Sequence, residues 1–491
     1  MSANTYSEIA TRRHPQIKAK EAIWNLIADS YAGGEAYVRK GHLFRFPKEN
    51  RIEYEARVKR AVFFNHVQPL SDMLAGFLFK KGVKRKLPTG LEFLESSATK
   101  RKGLNSFMQT VSIHSLMYTC GVLVDSPKFN TDNIRTKADE ALLNLQPYCV
   151  LYTPDKIRDF YVEEDGQLLW VLLDNTEICQ DDPLQPARKK VVYRLWVRDK
   201  IQDFEIKQSK TSASSEVTLI AESVNPLGEV PFIFVNWRDM DDDFIAETPF
   251  EDIAMLDRAI FNFLSYFDQM VAGGTFKVLF FPITSPEDLP KSVEEEGLGS
   301  LSVVPYPAMG GAKPFFDGQG LQDVAPFVAG MEMYFEQIMQ KLGLDRDKKQ
   351  AAPQSGYAKE LDFSRCEALL QLGAEQQENT ERRIVELAAK WLGIQNPNPE
   401  IEYSSDFASE DIDAELTRLY QLLTLPFKTM RKLAYRQIAA RALPGIPAED
   451  QKAIDTEIEA YDKKPEPTSN LVKAEAAVRQ QNQTGQTAEG Q

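Results

Sequence analysis

The sequence predicts an α+β fold, and three observations carry that prediction. Residues Tyr148 to Trp237 read as paired strands, while long stretches on both sides repeat their apolar residues at helical spacing. From Gly273 to Gly320 the helical period gives way to short strand-like runs, and it returns at Leu321. At 491 residues the chain has length for roughly two to four domains. Its 43% hydrophobic and 26% charged content is that of an ordinary globular protein, so composition forces no special class.

Residues 14–80 read as helical, with Ile23, Trp24, Ile27 and Tyr31 on one face and Gly33-Gly34 as a stop. A basic patch follows, Lys80-Lys81-Gly82-Val83-Lys84-Arg85-Lys86. A helix from Leu104 to Tyr118 feeds a short strand, Val122-Leu123-Val124. The runs Asp159–Glu163 and Leu168–Leu173 flank Asp165-Gly166, a hairpin signal. Val191–Val197 and Asp203–Gln208 read as a second hairpin; Val217–Glu222 and Pro231–Trp237, across a Pro-Leu-Gly turn, read as a third. The expected product is an antiparallel sheet packed on the preceding helix.

From Pro249 to Val271 the residues Phe250, Ile253, Leu256, Ile260, Phe263, Leu264, Phe267 and Met270 recur at helical spacing. Ala254, Met255, Ala259, Phe261 and Tyr266 widen the apolar arc beyond that stripe. A helix apolar nearly all round is buried on most sides, and copies of itself are the simplest cover. A second helix, Leu321–Leu342, stops at Gly343, a natural residue for a helix end. The charged loop Leu344–Ser355 breaks at Pro353, and Ser355 can cap a third helix running to Gly393. That helix is roughly 55 Å long if unbroken, with a kink expected near Gly373. A strand, Ile401–Phe407, precedes three shorter helices near Asp411–Leu425, Phe427–Ala442 and Ala448–Tyr461, set apart by Pro426 and by Pro444-Gly-Ile-Pro447. The Gln-, Thr- and Glu-rich tail after Lys463 reads as disordered.

Catalytic signals are scarce. The histidines His14, His42, His66 and His114 show neither HxxxH nor HxH spacing, so they read as surface or core polar residues. No GxxxxGK[ST], GxGxxG or GxSxG is present, so no phosphate loop or nucleophile elbow is expected. The acidic runs Asp239-Met-Asp241-Asp242-Asp243 and Glu163-Glu164-Asp165 lie at predicted turns, where Asp serves local backbone bonding; a metal-dependent hydrolase is the competing reading. Cys120, Cys149, Cys179 and Cys366 form no CxxC pair and read as free thiols. No catalytic residue, metal or cofactor is assigned.

The net charge of −14 argues against wrapping nucleic acid by counterion release. The patch Lys80–Lys86 reads either as a solvated loop or as a contact for DNA phosphates. Met1 to Arg13 has no apolar core, so no signal peptide is expected. The run Ala259–Ile283 is interrupted by Asp268, Gly273-Gly274 and Lys277, which argues against a membrane span. A soluble protein, cytoplasmic when made, is the expectation.

The order of these elements resembles phage portal proteins, the head-to-tail connectors, over roughly residues 14–440. The N-terminal segment is similar to one portal subgroup at His14-Pro15, Trp24, Tyr31 with Gly33, Tyr54, Ala61, Phe63-Phe64-Asn65, Leu74, Gly76 and Phe79-Lys80. The junction Tyr118–Pro127 is similar to that subgroup's Gly-x-Leu-Val-Asp element, as are the helix opening Pro353–Glu360 and the strand end Asp406-Phe407.

The resemblance implies a portal-like multidomain fold: an N-terminal arm and wing over 1–245, stem helices over 246–272 and 321–343, and a β-containing clip over 273–320. It further implies a tunnel loop over 344–355, a long helix and return strand over 356–408, a helical crown over 409–462 and a tail over 463–491. Phe250, Ile253, Ile260, Phe263, Phe267 and Met270 would pack stems between subunits of a ring, usually of twelve. Phe276, Phe281, Lys291 and Phe315 of the clip would contact partners. Arg346, Lys348 and Lys349 of the tunnel loop would face double-stranded DNA, with Asp345 and Asp347 offsetting their charge locally. The implied partners are the terminase motor, tail adaptor proteins and major capsid protein; the implied place is the capsid portal vertex of a virion assembled in the host cytoplasm. The competing readings are a non-ring phage head scaffold and an acidic-site metal-dependent nuclease.

Overall fold

A computed structural model of the chain describes residues 4–47, 49–99, 101–127, 146–180, 182–208, 215–238, 244–275, 278–284, 303–308, 313–317, 325–344, 356–405, 407, 428–442 and 448–460. The architecture is mixed α+β, and its chain divides into two compact units, Met1–Phe407 and Ala408–Gln491.

In the first unit helices precede the sheets: α1 (Asn4–Thr11), α2 (Pro15–Ala32), α3 (Gly34–Arg39), α4 (Arg51–Arg60), α5 (Val67–Phe79), α6 (Phe93–Ser97) and α7 (Leu104–Met117). Pro15 opens α2 at a position where its missing N–H costs nothing. Asn50 caps α4 by accepting the Glu53 amide hydrogen at 2.8 Å. α7 lies centrally, packed on α2, α5, α6, β2 (Cys120–Asp125) and two later helices, Pro249–Thr275 and Gly356–Trp391. Its residues Leu104, Met108, Val111 and Leu116 are wholly buried, as a helix covered on several sides requires.

Two sheets follow. β2 runs antiparallel between β3 (Tyr148–Tyr152) and β10 (Phe232–Val235), and every residue of β2 is buried. Gly121 is the residue this packing demands: a Cβ there would sit 2.0 Å from the Phe232 ring of the facing strand. The second sheet has the order β4 (Ile157–Val162), β5 (Leu168–Asp174), β7 (Arg188–Val197), β8 (Lys200–Gln208), β9 (Ser215–Val224), with β6 (Glu177–Cys179) paired to β7. The first two expected hairpins form. The third does not: β9 pairs with β8, and β10 crosses to β2. Burial explains the difference. β10 carries buried Phe232 and Val235, which suit a fully buried neighbour, whereas β9 leaves Ile220 and Val224 exposed as an edge strand does.

The basic patch divides in two: Lys80-Lys81-Gly82 form an exposed turn, as a solvated loop would, while Lys84–Lys86 are drawn into a strand. Residues Lys84–Lys86 form β1, antiparallel to β14 (Glu400–Glu402), in register Lys84↔Glu402 and Lys86↔Glu400. Those two lysines pair with the facing glutamates at 3.1 and 2.7 Å. Between them Arg85 reaches inward to Glu381, which also accepts from the Tyr403 hydroxyl at 2.7 Å.

The Gly356–Trp391 helix is one 36-residue element, unbroken at Gly373. There the indole of Trp237 lies against the helix, and its Nε1 donates to the Leu369 carbonyl at 2.9 Å. The expected strand Ile401–Phe407 contracts to β14, because Tyr403 and Phe407 leave the ladder to be buried.

In the second unit, helices Lys428–Ala442 and Ala448–Ala460 pack together. Lys432 pairs with Glu459 at 3.0 Å and Arg436 with Asp455 at 3.2 Å. The expected helix Asp411–Leu425 and the tail after Lys463 lie outside the described residues.

Candidate assembly surface

The Pro249–Thr275 helix pairs with a second helix, Ala325–Lys341, and the chain between them forms a small sheet. The two helices run antiparallel. Near the start of the first, Asp252 pairs with Lys341 at the end of the second; further along, Phe263 and Phe267 lie 5.4 and 6.2 Å from Phe327. Phe263 also seats over Gly330. The second helix ends at Lys341, and Gly343 beyond it adopts φ 67°, the left-handed conformation that a glycine takes without strain.

The small sheet has β11 (Val278–Ile283) at its centre, parallel to β12 (Val303–Pro307) and antiparallel to β13 (Phe315–Asp317). Phe280 and Phe315 stack at 5.0 Å, and the Tyr306 hydroxyl donates to the Lys313 carbonyl at 2.8 Å. Phe281 and Phe315 remain 40% and 46% exposed. Phe276 and Lys291 lie outside the described residues, as do Arg346, Lys348 and Lys349.

Burial of the first helix differs from expectation. Phe250, Ile253 and Ile260 are covered by α2, α4, α5, α7 and the Ala325–Lys341 helix of the same chain, so no second copy is needed at these positions. Phe263, Phe267 and Met270 are only partly buried.

Sequence reasoning passed over the polar residues that anchor this helix. Asp257, fully buried, accepts from the His66 ring at 2.6 Å and from the His66 backbone amide at 3.2 Å. Burial pushes the Asp257 carboxyl up, and the His66 hydrogen bond and charge pull it back part of the way. Asn262 accepts from the Phe44 amide at 2.7 Å and donates to the His42 carbonyl at 3.0 Å. Ser265 accepts from Arg57 at 3.1 Å. Arg57 itself is 1% exposed, bonded to both carboxylate oxygens of Glu49 at 2.8 Å and lying over the Phe46 ring at 4.4 Å. The available signal was local: Asp257, Asn262 and Ser265 sit beside the apolar stripe of the helix, where a buried polar side chain requires a partner.

Other sequence candidates are engaged locally, and the run Asp239–Asp243 lies outside the described residues. His14 stacks on Phe160 at 4.0 Å, His42 meets Asp29 at 2.9 Å and His114 meets the Tyr118 hydroxyl at 2.6 Å. Burial lowers the His14 and His114 pKa values, which keeps both rings neutral at pH 7. Glu163 pairs with Arg198 at 2.6 Å, and Asp165 accepts the Gln167 amide at 3.0 Å, both serving the β4–β5 turn. Burial pushes the Cys149 and Cys366 thiols up to about 12 and about 11, so neither is a thiolate at neutral pH. Among the described residues no cluster of three or more His, Cys, Asp or Glu stands ready to hold a metal, and no helix is long and apolar enough to cross a membrane.

No protein-family model matches the chain, and no curated protein matches it.

Proposed function

We propose that this chain is the subunit of a phage portal ring, the channel for DNA packaging and ejection at one capsid vertex. One observation carries the reading: an antiparallel helix pair, parted by a three-stranded sheet, is rooted in an α+β body through which a 36-residue helix runs. In this reading the body is the wing, the helix pair the stem and the small sheet the clip. Phe281 and Phe315 then offer exposed aromatic surface to the terminase motor and later to tail adaptors.

Mass photometry with negative-stain imaging of the purified chain tests this. Closed rings with a central channel, near a dozen copies, are expected. A particle that stays monomeric or dimeric at every concentration supports the non-ring head scaffold instead, and divalent-metal-dependent DNA cleavage supports the nuclease. The tunnel-loop assignment has its own test. Replacing Arg346, Lys348 and Lys349 together by Ala should impair DNA packaging or retention, and unchanged packaging and retention would remove that role.

A further inference from the structure

One side of α2 borders a cavity that the proposed function leaves unused. Glu21, Trp24, Asn25, Ala28 and Asp29 recur at helical spacing and so share that side. The rest of the lining is Arg13, Lys40, Tyr118 and Thr153-Pro154-Asp155, the last in a turn closed by the Lys156 amide on the Thr153 carbonyl at 2.9 Å. The cavity measures about 340 Å³, inside the range of about 300–1,000 Å³ over which small-molecule sites fall. Trp24 and Tyr118, 3% and 5% exposed, supply apolar wall together with Ala28 and Pro154.

The polar lining is unevenly satisfied. Arg13 is 10% exposed. Its Nη1 donates to the Asp155 and Ile157 carbonyls at 3.2 and 2.9 Å and its Nη2 to Glu21 at 3.2 Å, yet its buried Nε has no acceptor. The buried indole Nε1 of Trp24 has none either. A buried donor without an acceptor is costly, and native proteins leave few of them unmet. Burial lowers the Arg13 pKa; Glu21 offsets this only in part and the Arg158 charge adds to it, so the guanidinium can take further negative charge. The carboxylates divide differently. Both oxygens of Asp29 are taken, one by Lys40 and one by His42 at 2.9 Å. The carboxylate of Asp155, an exposed residue, has no hydrogen bond or ion pair among the described residues.

We infer that this cavity binds a small zwitterion of the α-amino-acid class, its carboxylate accepting from Arg13 and Trp24 and its ammonium meeting Asp155. Charge decides against a simpler ligand. The ionic side chains of the lining are two cations, Arg13 and Lys40, against three carboxylates, Glu21, Asp29 and Asp155. A bare anion meets that negative excess, and a bare amine leaves both buried donors empty. A zwitterion brings an acceptor and a cation together at no net charge, and both make charge-assisted hydrogen bonds. Its side chain is uncharged, because the wall left for it is Trp24, Ala28, Pro154 and Tyr118. The assignment does not depend on the ring reading.

The test screens the full-length chain by thermal unfolding against the amino acids with uncharged side chains, each at about 10 mM, since a ligand that binds only the folded chain raises its melting temperature. The strongest stabiliser is then titrated by calorimetry. One molecule per chain is expected. Its N-acetyl derivative, which lacks the ammonium, and its amide, which lacks the carboxylate, should each bind about ten-fold more weakly or worse. Asp155→Asn should weaken the parent amino acid about ten-fold and leave the N-acetyl derivative unaffected, a coupling that a merely structural role would not produce. Trp24→Phe keeps the aromatic wall, removes the donor and should also weaken the parent. If Trp24→Phe does not fold, Asp155→Asn decides. Stabilisation by none of these amino acids, equal binding of the parent and its N-acetyl derivative, or an affinity that Asp155→Asn leaves unchanged overturns the site.

Discussion

Arg57 illustrates how much a single side chain can hold. Its guanidinium is buried with the carboxylate of Glu49 and joins α4, the Phe44–Phe46 segment and Ser265. Removing one partner of such a pair strands the other charge, so Arg57→Ala should cost about 3–5 kcal/mol in urea unfolding. The pH dependence follows from Glu49, whose pKa the Arg57 hydrogen bonds hold below its ordinary 4.5. A carboxyl with a lowered folded pKa contributes stability that is complete above the unfolded value and lost as the pH falls through the folded one. The stability gap between the native chain and Glu49→Gln should therefore be full at pH 7 and shrink as the pH drops below about 4.5. A gap that stays constant down to pH 3 would contradict the assignment. None of this was legible from residue types, because Arg57 is one of several charged residues in α4 and nothing local marks it as the buried one.

At the scale of elements, the strap formed by β1 and β14 separates two kinds of charge. Lys84 and Lys86 are exposed, and so are the glutamates they pair with; replacing both lysines by Ala should leave stability in denaturant titration nearly unchanged. Arg85→Ala leaves the fully buried Glu381 unpaired and should cost about 3–5 kcal/mol by denaturant titration. Gly373 gives a prediction of reversed sign. Gly to Ala within a helix ordinarily stabilises by about 1 kcal/mol. Here the added Cβ would lie 2.2 Å from the Trp237 indole, so Gly373→Ala should lower the melting temperature and shift the Trp237 emission. Overpacking of this kind costs about 1–3 kcal/mol. Helical periodicity found the long helix because it is a local property, whereas β1 was read as a loop or a phosphate contact. The partner of β10 was not legible, since the choice between β9 and β2 depends on what buries each strand.

For the whole molecule, the division after Phe407 predicts that a chain ending there unfolds cooperatively at the melting temperature of one of the full chain's transitions. Calorimetry checks this, and a lower, broadened transition would show that the two units depend on each other for stability. The ring reading belongs to this scale too. Beside the resemblance, the sequence-level case for it used a helix apolar nearly all round, for which copies of the chain were the simplest cover. Within one chain, α2, α4, α5 and α7 already cover that helix, and the apolar surface left over lies at Phe44, Met255 and Phe335.

By itself the sequence determined the α+β class, the two first hairpins, the helix–sheet–helix order and the long helix to Trp391, because each is written in periodicity, turn residues and helix ends within a short window. Only the tertiary structure decided which strands share a sheet, that Lys84 and Lys86 face glutamates more than three hundred residues away, and that Asp257, Asn262 and Ser265 are anchors. These are contacts between segments far apart in the chain. Burial and charge pairing there depend on what the fold brings alongside, which no local pattern encodes.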